Sequence, residues 1–278
     1  MFGNFRTSSL FHYTKEIGVL YSILEKGLIP NYCYEDLSYK NNPNRGIGIP
    51  MVSFCDIPLS KTSLFAGRYG EYAIALTKEW AENKRINPIL YAKDENILIS
   101  LGFYKSIEGK YLSDIKKCGG NEKGVPFNFN IGQKPELVAL INYNNSHDAN
   151  VSINGMVKRY YREDEDKGLI NNYEENEWRY LVDDTEDTPW LWDKEVYNKW
   201  RGDKCKSKPS PTKALIEKTL KFTAEDIAFI IVFKENEILE MVKKIQGMNE
   251  IAGSEIDENG KLMLYTKIIS RERIQKDF

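Results

Sequence analysis

Two carboxylates two residues apart, Glu175 and Glu177, stand immediately before the apolar run Trp178–Val182. In an extended backbone residues i and i+2 face the same side, so a strand here aims both into one cleft, with Arg179 on the same face. Such a pair suits group transfer at a sugar carbon. When a glycosidic bond such as nicotinamide–ribose breaks, positive charge builds on the sugar ring, and a carboxylate fixed beneath it stabilises that charge. Glu177, which directly precedes the apolar run, is the candidate for this role. Glu175 is the candidate for orienting the incoming acceptor. The competing reading of Glu177 is a strand-edge ion pair with Arg179.

Three further segments put polar groups at the ends of apolar runs: Phe11-His12-Tyr13-Thr14, Val52-Ser53-Phe54-Cys55-Asp56-Ile57-Pro58-Leu59, and Arg68-Tyr69-Gly70 with Tyr72. His12, one of two histidines, is read either as ligand-facing or as a buried imidazole bonded to backbone. Tyr13 alternates with it and points to the other face. Thr14 is a candidate helix N-cap. Ser53 follows Val52 in a strand in which Phe54 is a core residue, and Asp56 is a candidate cap for the helix that Pro58 begins. Tyr69 and Tyr72 either stack on an aromatic ring such as nicotinamide or pack against a glycine turn. Arg68 either holds a pyrophosphate, whose geometry guanidinium matches, or lies on the surface.

The elements that position these groups follow from periodicity. Residues 8–14 read as a strand. Residues 15–26 read as a helix with Ile17, Leu20, Ile23 and Leu24 at helical spacing and Gly27 as its stop. Residues 30–48 read as a Pro/Gly/Asn loop, Ile49–Phe54 as a strand, and Pro58 to about Gly70 as a helix. Tyr72–Leu76 is a strand, Thr77 opens a short helix with Trp80, and Pro88–Tyr91 is a brief strand. Asn96–Tyr104 and Pro135–Asn142 read as helices in an inserted helical layer over about 94–170, with residues 158–176 as a charged surface turn. Trp178–Val182 returns to strand. Residues 183–213 read as a Trp/Lys-rich loop with one short helix, in which Trp190, Trp192 and Trp200 either pack the loop or stack on bases. Ile227–Phe233 is a strand, Asn236–Ile245 a helix, Leu262–Ile269 a strand and 270–276 a charged tail. Short strands interleaved with helices, without regular βαβ spacing, point to one α+β domain with a split, mixed β-sheet and flanking helices.

Composition narrows the function. No apolar run reaches the ~20 residues of a membrane helix, and the N-terminus lacks a secretory signal, so a cytoplasmic protein without a membrane partner is expected. Four dispersed cysteines without C-x-x-C spacing argue for reduced thiols and against zinc. No metal site is expected. A net charge of −2 argues against a broad nucleic-acid footprint, although residues 193–221 carry 9 basic against 4 acidic side chains, a surface for an acidic partner or a phosphate backbone. Glycine-rich nucleotide motifs of the Rossmann and P-loop kinds are absent.

The segments FHYT (11–14), GLIPNYCYEDL (27–37), IPMVSFCDIPLS (49–60), YGEYAIALTKEW (69–80), NPILY (87–91) and NEWRYL (176–181) resemble the AbiGi-type abortive-infection family of bacterial phage-defence proteins. That resemblance implies a two-gene system in which this member is called the antitoxin, with a cognate toxin or antitoxin partner protein. The same segments are similar to the DarT-type ADP-ribosyltransferases, which modify nucleic acid. This second resemblance implies an ADP-ribosyltransferase-like core and NAD as a substrate. It implies that His12 contacts the NAD ribose with Tyr13 and Thr14 beside it, and that Glu177 is the catalytic carboxylate. Ser53, Phe54, Arg68, Tyr69 and Tyr72 complete the NAD-binding set. Two functions stay open: NAD-dependent transfer to a macromolecular acceptor such as nucleic acid, and a catalytically silent antitoxin or sensor acting by protein contacts.

Overall fold

The computed structural model describes residues 7–101, 153–164, 168–202 and 209–277, with isolated positions 110, 113 and 116. The chain runs β1 (Ser9–Thr14), α1 (Ile17–Lys26), β2 (Asn31–Asp36) and β3 (Gly46–Cys55). It continues through α2 (Thr62–Tyr69), β4 (Tyr72–Thr77), α3 (Lys78–Asn83), β5 (Asn87–Pro88) and β6 (Leu90–Ala92). Next come β7 (Val157–Arg159), β8 (Tyr161–Asp164), β9 (Gly168–Asn171), β10 (Glu177–Leu181) and β11 (Leu191–Trp192). The last part holds α4 (Lys194–Arg201), α5 (Lys213–Glu217), β12 (Ile227–Val232), α6 (Glu237–Gln246), a small hairpin of β13 (Glu250–Ile251) and β14 (Ser254–Glu255), α7 (Glu258–Tyr265), β15 (Ile268–Ser270) and α8 (Arg271–Asp277).

The principal sheet has the order β15-β12-β4-β1-β3-β10-β5, with β2 and β11 also on β3. Only β12–β15 is parallel within it; the other ladders are antiparallel, so the sheet is mixed and the fold α+β. Its centre is interrupted. β1 pairs with β4 over all six of its residues, yet meets β3 at the single pair Phe11↔Cys55. Along that same edge of β3, β2 covers Gly46–Met51, while β10 and β11 take the opposite edge. Residues 52–54 of β3 therefore face a gap between β1 and β2.

Alternation along the strands divides the core. Leu10, Phe54, Ile74, Leu76 and Ile230 face α1 (Leu20, Ile23, Leu24) and α6 (Met241, Ile245), with Trp80 between. Phe11, Cys55, Ala73, Ala75 and Ile231 face the other way, towards Ile274 of α8. The helix ends follow local chemistry. The N–H of Gly27, at φ 92°, closes α1 on the Ile23 carbonyl, a conformation that suits glycine. Thr77 caps α3 by accepting from the Trp80 N–H at 3.2 Å. Among the described residues no helix is long and apolar enough to cross a membrane.

Several expectations are corrected. Residues 31–36, expected in a loop, form β2: the alternation of Tyr32 and Tyr34 with Cys33 and Glu35 outweighs the flanking prolines. Thr14 does not cap α1; the helix starts at Ile17 after Glu16, with no side-chain cap, and Thr14 is the buried last residue of β1. Asp56 accepts from Lys78 Nζ at 2.7 Å instead of capping a helix. Residues 262–265, expected as strand, belong to α7, which Asp257 caps by accepting from the Gly260 N–H, and the expected tail is α8. Within 94–170, residues 95–101 are helical, but 157–159, 161–164 and 168–171 are strands: β6 pairs with β7 and β8 with β9. The expected helix Pro135–Asn142 lies outside the described residues.

Phe54 is 1% exposed and its ring lies 5.8 Å from His12 and 5.9 Å from Trp80. Truncating it to alanine is expected to cost about 3–5 kcal/mol, read as a lowered urea midpoint at unchanged m-value.

Candidate functional site

The gap in the sheet opens into a cavity of about 410 Å³ lined by His12, Tyr13, Ser53, Phe54, Tyr69, Glu175 and Glu177, together with Phe11, Cys33, Glu35, Cys55, Lys158 and Arg162. Four segments far apart in sequence thus meet on one concave surface. His12 and Glu177 leave opposite faces of their strands: His12 lies on the Leu10 and Phe54 side, Glu177 beside Cys55 in the β10–β3 ladder. They reach one cavity because the sheet is open between them.

His12 spans the interruption. Its Nδ1 lies 2.9 Å from the Ser53 carbonyl, which only accepts, so Nδ1 carries the proton. Burial lowers the imidazole pKa against the raising effect of that bond. The ring is therefore neutral at pH 7 and leaves Nε2 as an acceptor. Tyr13 turns the other way, stacking on Phe11 and tilting over Tyr69 at 6.4 Å. Its hydroxyl is buried and has no hydrogen-bond partner among the described residues. Burial raises the phenol pKa, so this group is a donor without an acceptor.

The acidic wall is built on Arg179, whose side chain has no exposed surface. Its Nε donates to Glu177 Oε1 at 2.6 Å and its Nη2 to Glu177 Oε2 at 3.2 Å. The same Nη2 donates to Glu35 Oε1 at 2.7 Å, and Nη1 to the Gly155 carbonyl at 2.9 Å. Arg179 stands opposite Ser53 in the ladder, and its guanidinium reaches across β3 to Glu35 on β2. Lys158 of β7 then bridges the two expected carboxylates, donating to Glu177 Oε2 at 2.8 Å and Glu175 Oε2 at 2.9 Å. Glu175 Oε1 accepts from Arg68 at 3.2 Å and from the Tyr69 hydroxyl.

Three carboxylates and three cations therefore balance. Burial alone raises the Glu177 pKa, but Arg179 and Lys158 outweigh it and hold the carboxyl down at about 2. For Glu35 burial wins over the same two cations and the pKa rises. The ion pair Glu177–Arg179 weighed from sequence is present, and it lies inside the cavity wall.

Not every expected residue lines the cavity. Thr14 is buried at the far end of β1. Arg68 does not line the cavity and meets its wall through Glu175. Tyr72 pairs with Thr14, and its hydroxyl donates to Glu237 of α6 at 2.9 Å, away from the gap. Trp190 is buried with its indole N–H on the Val182 carbonyl, and Trp200 packs on Tyr32 at 4.6 Å, so these rings fill the loop. Sequence reasoning missed Glu35 and Lys158. The period-two pattern of residues 31–36 would have exposed the first. Lys158 carried no local signal, because its partners lie 17 and 19 residues downstream.

The family described as "Putative abortive phage resistance protein AbiGi, antitoxin" matches residues 26–233. A curated relative named abortive phage resistance protein AbiGi, from Lactococcus lactis subsp. cremoris, is 26% identical over 278 aligned positions, covering 90% of this chain and 99% of the relative. No solved structure matches.

Two outcomes follow from the ion network. Glu177 has an ordinary pKa of 4.5 and a folded value of about 2. Its contribution to stability is present above about pH 4.5 and is lost as pH falls towards 2, which a series of thermal melts would register. Arg179→Met strands Glu35 without its hydrogen-bonded cation and leaves Glu177 with Lys158 alone, and is expected to cost about 3–5 kcal/mol by chemical denaturation.

Proposed function

This chain belongs to the AbiGi family of abortive phage resistance proteins, and we propose that it acts there as an NAD-consuming ADP-ribosyltransferase on a macromolecular acceptor. The observation that carries the reading is convergence: His12, Tyr13, Ser53, Tyr69, Glu175 and Glu177 line one cavity at a break in the sheet. Its volume lies in the range of ligand pockets, about 300–1,000 Å³. The chemistry of the lining suits the nicotinamide–ribose end of NAD. Tyr13 offers a buried hydroxyl in need of an acceptor, and His12 Nε2 offers an acceptor to a sugar hydroxyl. Glu177 stays ionised at any physiological pH. As the C1′–N bond breaks, its electrons pass to the nicotinamide ring, which leaves neutral, and the ribose becomes cationic. A fixed anion in a water-poor wall favours that state.

One observation favours a second reading, a catalytically silent antitoxin. Both oxygens of Glu177 are already held by Arg179 and Lys158, as a purely structural network requires, and the family's description carries the word antitoxin. In that case the cavity is scaffolding and the chain works through a partner protein, for which the exposed basic residues Lys199, Arg201, Lys213 and Lys218 offer a surface.

Nicotinamide release from NAD, with nucleic acid and infected-cell lysate as acceptors, separates the two. The transferase reading expects Glu177→Gln to lose about 100-fold or more in turnover. Because Gln at 177 leaves part of the buried Arg179 charge uncompensated, His12→Ala serves as the second variant, with unfolding curves on both. Absence of turnover in the wild type with every acceptor, together with intact phage defence in both variants, sinks the enzyme and leaves the antitoxin.

A further inference from the structure

Glu35, not singled out from the sequence, is the least restrained carboxylate of the cavity wall. Glu177 has both oxygens bonded to cations, and Glu175 has Arg68 and Tyr69 on one oxygen and Lys158 on the other. Glu35 gives only Oε1, to Arg179 Nη2. Its second oxygen accepts no hydrogen bond among the described residues. Its side chain is 11% exposed, against 5% for Glu177 and 3% for Glu175, and it lines the same cavity. Glu35 and Glu177 also share one nitrogen of one guanidinium, so whatever is seated against Glu177 is beside Glu35.

We infer that Glu35 is the proton acceptor of the cavity, the group that takes the proton of the incoming nucleophile as its bond to the ribose C1′ forms. This rests on the transferase reading. The step balances: the acceptor O–H or N–H attacks C1′, the C1′–N bond pair leaves with neutral nicotinamide, and the acceptor's proton passes to the open oxygen of Glu35. Glu175, expected from sequence to serve the acceptor, is tied into the wall and does not have an oxygen to offer. The groups facing Glu35 are Arg179 and Glu177 on β10, Lys158 on β7 and Glu175 in the turn before β10. Burial and the two carboxylates raise its proton affinity and the two cations oppose them, with burial prevailing. Glu177, with the same cations in closer contact, is driven the other way. Two carboxylates with environments that part their pKa values divide the labour of stabilising anion and proton acceptor.

The test is single-turnover hydrolysis of NAD, with NAD as the probe and water as the acceptor, over roughly pH 5–9. Wild type is expected to accelerate with pH through the titration of Glu35. Glu35→Gln is expected to lose about 100-fold in rate and the acid limb of the profile. It should keep NAD affinity, since glutamine still presents an oxygen to Arg179, with an unfolding midpoint lowered no further than that of Glu177→Gln, which removes one charge from the same guanidinium. Glu35→Asp, with a shorter reach, should recover part of the rate and the pH dependence. A Glu35→Gln protein with wild-type rate and profile overturns this assignment alone. So does one that loses rate and NAD affinity together, with a midpoint below that of Glu177→Gln, since that is a packing role. A wild type that releases no nicotinamide at any pH overturns the transferase reading and this assignment with it.

Discussion

A guanidinium with no exposed surface lies across the middle of β3, and the cost of putting it there organises the wall around it. An unpaired buried charge costs several kcal/mol even after relaxation. Arg179 is tolerated because Glu177, Glu35 and the Gly155 carbonyl are all in place at 2.6–3.2 Å. Those partners come from β10, β2 and the segment before β7. Strands on opposite edges of β3, which share no backbone ladder, are thus joined through one side chain. Lys158 extends the chain of charges to Glu175 and Arg68. Of the network's carboxylates only Glu35 lies on neither that lysine nor a second arginine.

The legibility of this arrangement in the sequence divides along physical lines. β1, α1, β4, α3, β10, β12 and α6 announce themselves, because each is fixed by its own periodicity, a glycine stop or a threonine cap. β2 is easily overlooked, since the prolines around Asn31–Asp36 signal a loop, although the alternation of Tyr32 and Tyr34 with Cys33 and Glu35 is there and the ladder with Gly46–Met51 realises it. The C-terminal stretch misleads for a related reason. Leu262, Leu264, Ile268 and Ile269 alternate as in a strand, but Asp257 starts a helix and Leu264 is the residue it buries. The site follows the same rule. His12 and Glu177 stand out by type and position at strand ends. Glu35 and Lys158 gain their meaning from tertiary neighbours, and Arg68 and Tyr72 lose theirs in the same way.

The electrostatics also explain why family, fold and chemistry speak with different force. Membership of the AbiGi family rests on sequence over most of the chain. The charge-balanced wall serves a folded scaffold as well as an active site, since in either case Arg179 must be neutralised. Beside that wall stand a buried tyrosine hydroxyl without a hydrogen-bond partner among the described residues, an imidazole bonded through Nδ1, and a carboxylate with one oxygen bonded to Arg179. Of these only the unpartnered hydroxyl carries a desolvation cost.

The single ladder pair between β1 and β3 has a mechanical meaning as well. A sheet stitched at one point along its central seam behaves as two plates. One, β15-β12-β4-β1, is braced by α1 and α6. The other, built on β3, is braced by its own cluster of Ile47, Ile49, Met51 and Trp190. Phe54 and the His12–Ser53 bond are the stitches near the gap. Phe54 shares the cluster of Leu10, Ile74 and α1, and Cys55 that of Phe11 and Ala75, so the two plates pack together across the seam and both clusters set the width of the opening. Residues remote from it, in either brace, set its gauge without touching what it holds.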